Sequence, residues 1–226
     1  MKNYEGHPDQ HFGPVTYAQH GDDLMILNLF KLMGIEKPSY LDLGAHHPVT
    51  ISNTALLYER GSRGVNVEAN PALIDEFERL RPGDKNVNIG VGPNLAPSMK
   101  FFKYSETSGR NTFSQEEVDS LKGVLTVKEE VFLSVMTLQE IVKLYCDGIF
   151  PDLLTCDIEG FDYDVLSQLP PASVYMANVP KLIVVETRRG QSDRMTRLMR
   201  SKGYFPYCRM GENLFFVRND YMGKVY

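Results

Sequence analysis

Short apolar runs alternate with amphipathic stretches along most of the chain. Runs at 40–44, 64–68, 86–91, 99–104, 131–135, 153–158 and 181–186 have the length and composition of strands. Between them lie stretches with helical spacing at 51–59, 71–80, 138–145, 162–169 and 193–201, and a shorter one at 115–122. An earlier helix starts near Asp22 or Asp23, either of which serves as its cap, and Gly34 ends it. Asn70 with Pro71 reads as the start of the 71–80 helix. The segments 204–208 and 214–217 form a closing hairpin. This alternation predicts an α/β fold with a mostly parallel central sheet, helices on both faces, and an antiparallel C-terminal strand. Ligands of such sheets bind outside the carboxyl ends of the strands.

Composition adds bounds. With 226 residues, 42% hydrophobic and 23% charged, the chain suits a single globular domain over 1–226. Residues 1–36 read as a lead-in plus one helix, and 37–226 as the core. A net charge of −5 disfavours a nucleic-acid partner. Arg194, Arg197 and Arg200, after Arg188 and Arg189, read as a solvated helix face or a contact for an anionic acceptor. No apolar run is long enough to span a membrane. Three dispersed cysteines, Cys146, Cys156 and Cys208, fit reduced thiols and a cytoplasmic setting.

Chemistry concentrates at the strand ends. The first strand ends in Asp42-Leu43-Gly44-Ala45-His46-His47. Gly44 permits a tight turn and close approach of a ligand. The motif has one glycine, not the three of a dinucleotide fingerprint, so a ligand without pyrophosphate fits better than a nicotinamide. Glu68, ending the second strand, can accept both hydroxyls of a ribose. Asp157, Glu159 and Glu186 follow two later strands, where clustered acids raise one another's pKa. Glu159 has the alternative of capping the next helix, and Glu186 that of pairing with Arg188 or Arg189. His46 is a candidate base or a turn histidine held by backbone. His7 and His11 fall in a segment the pattern does not place. The loop 105–112, with Asn111 inside it, reads as an acceptor-side or lid segment.

Four segments together resemble the FkbM-type methyltransferases. They are Tyr17-Ala18-Gln19-His20-Gly21-Asp22-Asp23-Leu24, Leu41 to His46, Asn66-Val67-Glu68-Ala69-Asn70-Pro71, and Pro151 to Asp162 with its Asp-x-Glu-Gly core. Ala18 and Asp22 replace the Ser and Glu of the family's opening motif, and Ala69 replaces a Pro. Met136-Thr137-Leu138-Gln139-Glu140 and the closing hairpin add smaller likenesses. The resemblance implies a Rossmann-like methyltransferase fold and methyl transfer from S-adenosylmethionine. The expected acceptor is a hydroxyl of a sugar, glycan or secondary metabolite. By position, Gln19, Asp42, Gly44, Ala45, His46, Glu68, Ala69, Ile89, Gly90 and Asp157 would surround the cofactor. Ile89 and Gly90 would lie near the adenine. Asp157 is the first candidate for the base, with His46 and Glu186 behind it. A divalent cation on Asp157 and Glu186 is an alternative that is not expected. The rival classes are a Rossmann enzyme of other chemistry, such as an oxidoreductase, and a non-catalytic binding module.

Overall fold

The computed structural model describes residues 16–175, 178–187 and 190–225. The strands in chain order are β1 (Tyr40–Leu43), β2 (Gly64–Glu68), β3 (Lys85–Asn88), β4 (Gly90–Val91), β5 (Ala96–Lys103), β6 (Glu129–Met136), β7 (Leu153–Cys156), β8 (Leu182–Glu186), β9 (Tyr204–Met210) and β10 (Asn213–Arg218). The helices are α1 (Asp22–Met33), α2 (Ala55–Glu59), α3 (Pro71–Leu80), α4 (Gln115–Ser120), α5 (Leu138–Tyr145), α6 (Asp162–Ser167), α7 (Ala172–Tyr175), α8 (Ser192–Ser201) and α9 (Met222–Val225).

Seven strands form the central sheet in the order β3-β2-β1-β7-β8-β10-β9. All neighbours are parallel except the two pairs made by β10. The antiparallel strand ending near Val217 is therefore internal, and β9 forms the edge. The chain reverses its winding between β1 and β7, which pair in register from Tyr40↔Leu153 to Leu43↔Cys156. A crevice opens at such a reversal.

Alternate residues of the central strands feed two cores. Leu41, Leu43, Leu154, Cys156, Ile183 and Val185 pack with Leu138 and Ile141 of α5, Val165 of α6 and Met195 of α8. Tyr40, Leu153, Leu182, Val184 and Phe215 pack on the opposite face against Ile26, Leu29 and Phe30 of α1. This is the period-2 signature of strands buried on both sides. Caps close the helices as their sequences suggest. Asn70 Oδ1 accepts from the Ala72 amide, and Thr137 Oγ1 from the Glu140 amide.

Several boundaries differ from the sequence pattern. The run 86–91 divides at Ile89: β3 pairs with β2, while β4 joins a second sheet of order β4-β6-β5. The helix expected over 51–59 begins only at Ala55, because Ile51 takes a left-handed φ of 57° that a helix cannot hold. Asp22 and Asp23 lie inside α1 rather than capping it, and Gly21 occupies the cap position. Their carboxylates serve tertiary contacts: Asp23 accepts from Thr16 Oγ1 and the Tyr17 amide, and Asp22 from Asn213 Nδ2. Among the described residues, no helix is long and apolar enough to cross a membrane.

Candidate active site

Gly44 leaves β1 with φ of 77°. A β-carbon there would lie 1.8 Å from the Asp157 carbonyl oxygen, so only glycine lets the ends of β1 and β7 approach this closely. The amides of Gly44 and Ala45 both donate to Val67 O, at 3.0 and 3.1 Å. The Asp157 amide donates to Leu43 O at 3.0 Å. Three strand ends thus converge on one turn.

Glu68 sits beneath that turn. Its Oε2 accepts from the His46 amide at 2.9 Å and its Oε1 from the Asn70 amide at 2.6 Å. Each oxygen keeps a lone pair for a further donor. Burial pushes the carboxyl up to about 7, against the downward pull of the Asn70 and His46 amides. Glu68, Ala69, Asn70 and Ile89 border a cavity that opens beside the turn. Leu73, Val91, Phe101 and Phe113 give it an apolar wall. The Phe113 ring packs tilted against Phe101, with centroids 4.7 Å apart. Gly90 does not border this cavity; it lies under Phe113 and Val135 in the second sheet.

A second chamber adjoins the first, and Gly44, His46, Gly109, Asp157 and Glu159 border both. Gln19, Asp42, Ala45, Glu186 and Glu212 complete its walls. Oxygens of Asp157, Glu159 and Glu186 come within 4.8 Å of one another. The cleft walls crowd these acids, Glu159 most completely while Asp157 keeps an exposed edge, and their like charges push in the same direction. Asp157 is held well above the ordinary carboxylate range by desolvation, then by Glu186, Glu159 and Asp162. Loss of water raises Glu159 to about 8, and Glu186 adds to the rise. Glu186 rises to about 7, mainly by desolvation. Asp157 and Glu186 lie close enough for each to push the other's carboxyl pKa.

Arg110 spans this cluster. Its Nη1 lies 3.3 Å from both oxygens of Glu159 and 3.9 Å from Glu186, and its Nη2 is 3.9 Å from Glu212. It projects from the loop 105–112, which touches every wall of the cleft. Asn70 Nδ2 donates to Glu106 O, His46 Nε2 donates to Thr107 O at 3.0 Å, and Thr112 Oγ1 donates to Glu159 O at 2.6 Å. Asn111 is internal to the loop, accepting from the Tyr104 amide and donating to Ser105 O.

The remaining candidates take other places. His46 must carry its proton on Nε2 to bond a carbonyl, so that nitrogen is not a base. Both oxygens of Asp42 accept threonine hydroxyls at 2.6 Å, from Thr54 and Thr155. Glu159 does not cap α6. Asp162 fastens that turn instead, accepting from the Ile158 and Gly160 amides. His47 Nδ1 accepts from the Val49 and Thr50 amides. Burial pushes the thiols of Cys146 and Cys208 up to about 11, and that of Cys156 higher than its ordinary value. His7, His11, Arg188 and Arg189 lie outside the described residues. Arg194 stacks on the Tyr163 ring at 3.6 Å. Sequence reasoning missed Arg110 and Phe113 as parts of the site. Their one signal was a cation and an aromatic within an otherwise small, polar stretch.

The sequence profile of the Methyltransferase FkbM domain matches residues 42–206, from the β1 turn through β9. The chain belongs to the FkbM methyltransferase family. A search of curated proteins gives no significant match. Among solved structures, this FkbM domain is similar to a TehB-like SAM-dependent methyltransferase from Corynebacterium glutamicum: 14% identity, 93% of this chain and 92% of that one, TM-score 0.41. It is also similar to the 1,6-didemethyltoxoflavin-N1-methyltransferase of Burkholderia thailandensis: 13% identity, 88% and 77% covered, TM-score 0.42. A third is the precorrin-6y C5,15-methyltransferase of Geobacter metallireducens: 11% identity, 92% and 93% covered, TM-score 0.40.

Proposed function

We propose that this FkbM domain transfers the methyl group of S-adenosylmethionine to a hydroxyl oxygen of a sugar, glycan or secondary metabolite. The residues present fit that cofactor. Gly44 lets the ends of β1 and β7 close up at the cleft, Glu68 offers two lone pairs suited to ribose hydroxyls, and the apolar wall suits a purine. When bound, the cofactor supplies a methyl group already activated by its sulfonium.

The observation that carries the reading is Asp157 at the junction of the two chambers, with Glu186 near it in the second. A hydroxyl is a poor nucleophile while protonated. A carboxylate whose pKa is raised can take that proton as the oxygen attacks, which contributes about 10²–10⁴-fold. Asp157 accepts the proton, with Glu186 beside it. His46, through its amide, orients Glu68 rather than moving a proton. Arg110 pairs with Glu159 and reaches towards Glu186, so its guanidinium stands among the carboxylates where a divalent cation would otherwise sit. The reading therefore uses no metal, and turnover is expected to survive chelation.

The test is Asp157→Asn, assayed by release of S-adenosylhomocysteine over a panel of hydroxyl-bearing acceptors. Turnover is expected to fall about 10²–10⁴-fold while cofactor binding stays within a few-fold. Full turnover in the variant removes Asp157 as the base. Methylation confined to amines or to carbon would overturn the oxygen assignment.

A further inference from the structure

Arg81, directly after α3, is the largest side chain fully removed from solvent. Burying a guanidinium costs several kcal/mol unless it is paired, and apolar replacements usually serve stability as well. Its partners suggest what it is kept for. Nε pairs with Asp84 at 2.9 Å, and Nη2 donates to the Tyr40 hydroxyl at 2.9 Å. Nη1 donates to Thr54 Oγ1 at 3.0 Å and reaches Pro48 O at 3.5 Å. Thr54 Oγ1 then donates to Asp42 Oδ2 at 2.6 Å, and Asp42 Oδ1 accepts from Thr155 Oγ1 at 2.6 Å.

The chain of contacts Asp84–Arg81–Thr54–Asp42 grips the segment 44–54 from below. Asp42 holds it before Gly44, Thr54 holds it where α2 begins, and Arg81 touches its middle at Pro48. The segment needs such a grip. His46 and Ile51 both adopt left-handed φ values, 52° and 57°, which are unfavourable for side chains with a β-carbon and persist only where neighbours enforce them. Thr54 stands at the cap position of α2 yet makes no capping bond, because its hydroxyl is used in the relay.

We propose that Arg81 is a positioning residue. Through Thr54 and Asp42 it holds the 44–54 segment in the conformation that accepts the cofactor, and so sets cofactor affinity without touching the cofactor. The inference rests on the functional reading above.

Thr54→Val removes the hydroxyl at nearly constant volume, and Thr54→Ser restores it. With the full chain, S-adenosylmethionine binding is measured by calorimetry and amide exchange is followed over residues 45–53. Thr54→Val is expected to weaken binding about tenfold and speed exchange in that segment, the size of one charge-assisted hydrogen bond. Thr54→Ser should stay within about twofold of wild type on both readouts. Arg218→Met is the control, since Arg218 is also buried and paired, with Asp220, but lies away from the cleft. It should lower the melting temperature and leave binding unchanged. Thr54→Val binding like wild type, or Arg218→Met weakening binding equally, overturns the proposal. Failure of the wild type to bind would instead sink the functional reading, and the exchange comparison would still decide whether the relay holds the segment.

Discussion

Replacing Glu68 by Gln isolates its part in the cleft. The two backbone amides at 2.9 and 2.6 Å each require an acceptor, and Gln offers one carbonyl oxygen against one amino group. One buried amide is left facing a donor, which costs about 1–3 kcal/mol of folding stability. One of the two ribose hydroxyls also loses its acceptor, and the other loses a charged one. Affinity for the adenosyl part should then fall roughly 10–100-fold, or about 1.4–2.8 kcal/mol. The probe is 5′-methylthioadenosine, which carries the adenosine without the charged sulfonium or amino acid. The ionisation of Glu68 provides a second signature. Its pKa is raised from 4.5 to about 7, so the folded state retains a proton that the unfolded chain has lost between those values. Stability from this group is therefore complete below pH 4.5 and falls as pH rises through 7, by an upper bound of about 3 kcal/mol. Ligand hydroxyls donate more strongly, and to both oxygens, in the ionised form, so wild-type affinity should tighten from pH 6 to about 8 and then level off. In Glu68→Gln the affinity slope for 5′-methylthioadenosine should vanish, and the stability slope should shrink by the share of this group while Glu159 and Glu186 keep theirs. Calorimetric titration across that range, with urea unfolding alongside, measures both. Affinity within twofold of wild type, or an unchanged pH slope in the variant, would refute the assignment of Glu68 to the ribose.

Two further outcomes follow from the cleft. Gly44→Ala adds a β-carbon 1.8 Å from Asp157 O at a φ of 77°, and should cost at least about 3 kcal/mol in urea unfolding, with cofactor binding lost; wild-type stability would mean that β1 and β7 can part. Arg110→Met removes the cation that holds Glu159 down, so the midpoint of S-adenosylmethionine affinity against pH should move upward whatever happens to the absolute affinity. An unmoved midpoint would show that Arg110 does not govern the cluster.

The glycine turn, Glu68 and Asp157 were legible in the sequence because a parallel sheet delivers its chemistry at strand ends, where composition changes abruptly. The cap Asn70 was legible because capping is local. What stayed hidden depends on contacts distant along the chain. Arg110 meets Glu159 across 49 residues, and nothing near Arg110 announces that partner. Arg81 follows an amphipathic helix and reads as an exposed basic end; only the fold puts Asp84, Tyr40 and Thr54 around it. The split at Ile89 was invisible because one apolar run can change pairing partners without changing composition. Asp22 and Asp23 carried a valid capping signal that tertiary partners overrode.

The two sides of the cleft are made far apart in time. Ser39 bonds Asp152 across 113 residues, and Asp22 meets Asn213 across 191. On a ribosome, β1 emerges with β2 to cover one flank and waits for β7 to cover the other. Until then a parallel strand edge stands open, a template for unwanted pairing between nascent chains. The walls bearing Asp157, Glu186 and Glu212 come later still. Cofactor in the cell can therefore stabilise the finished protein by mass action, but cannot shelter it during synthesis. Yield in a foreign host should respond to chaperone supply and translation speed more than to methionine metabolism.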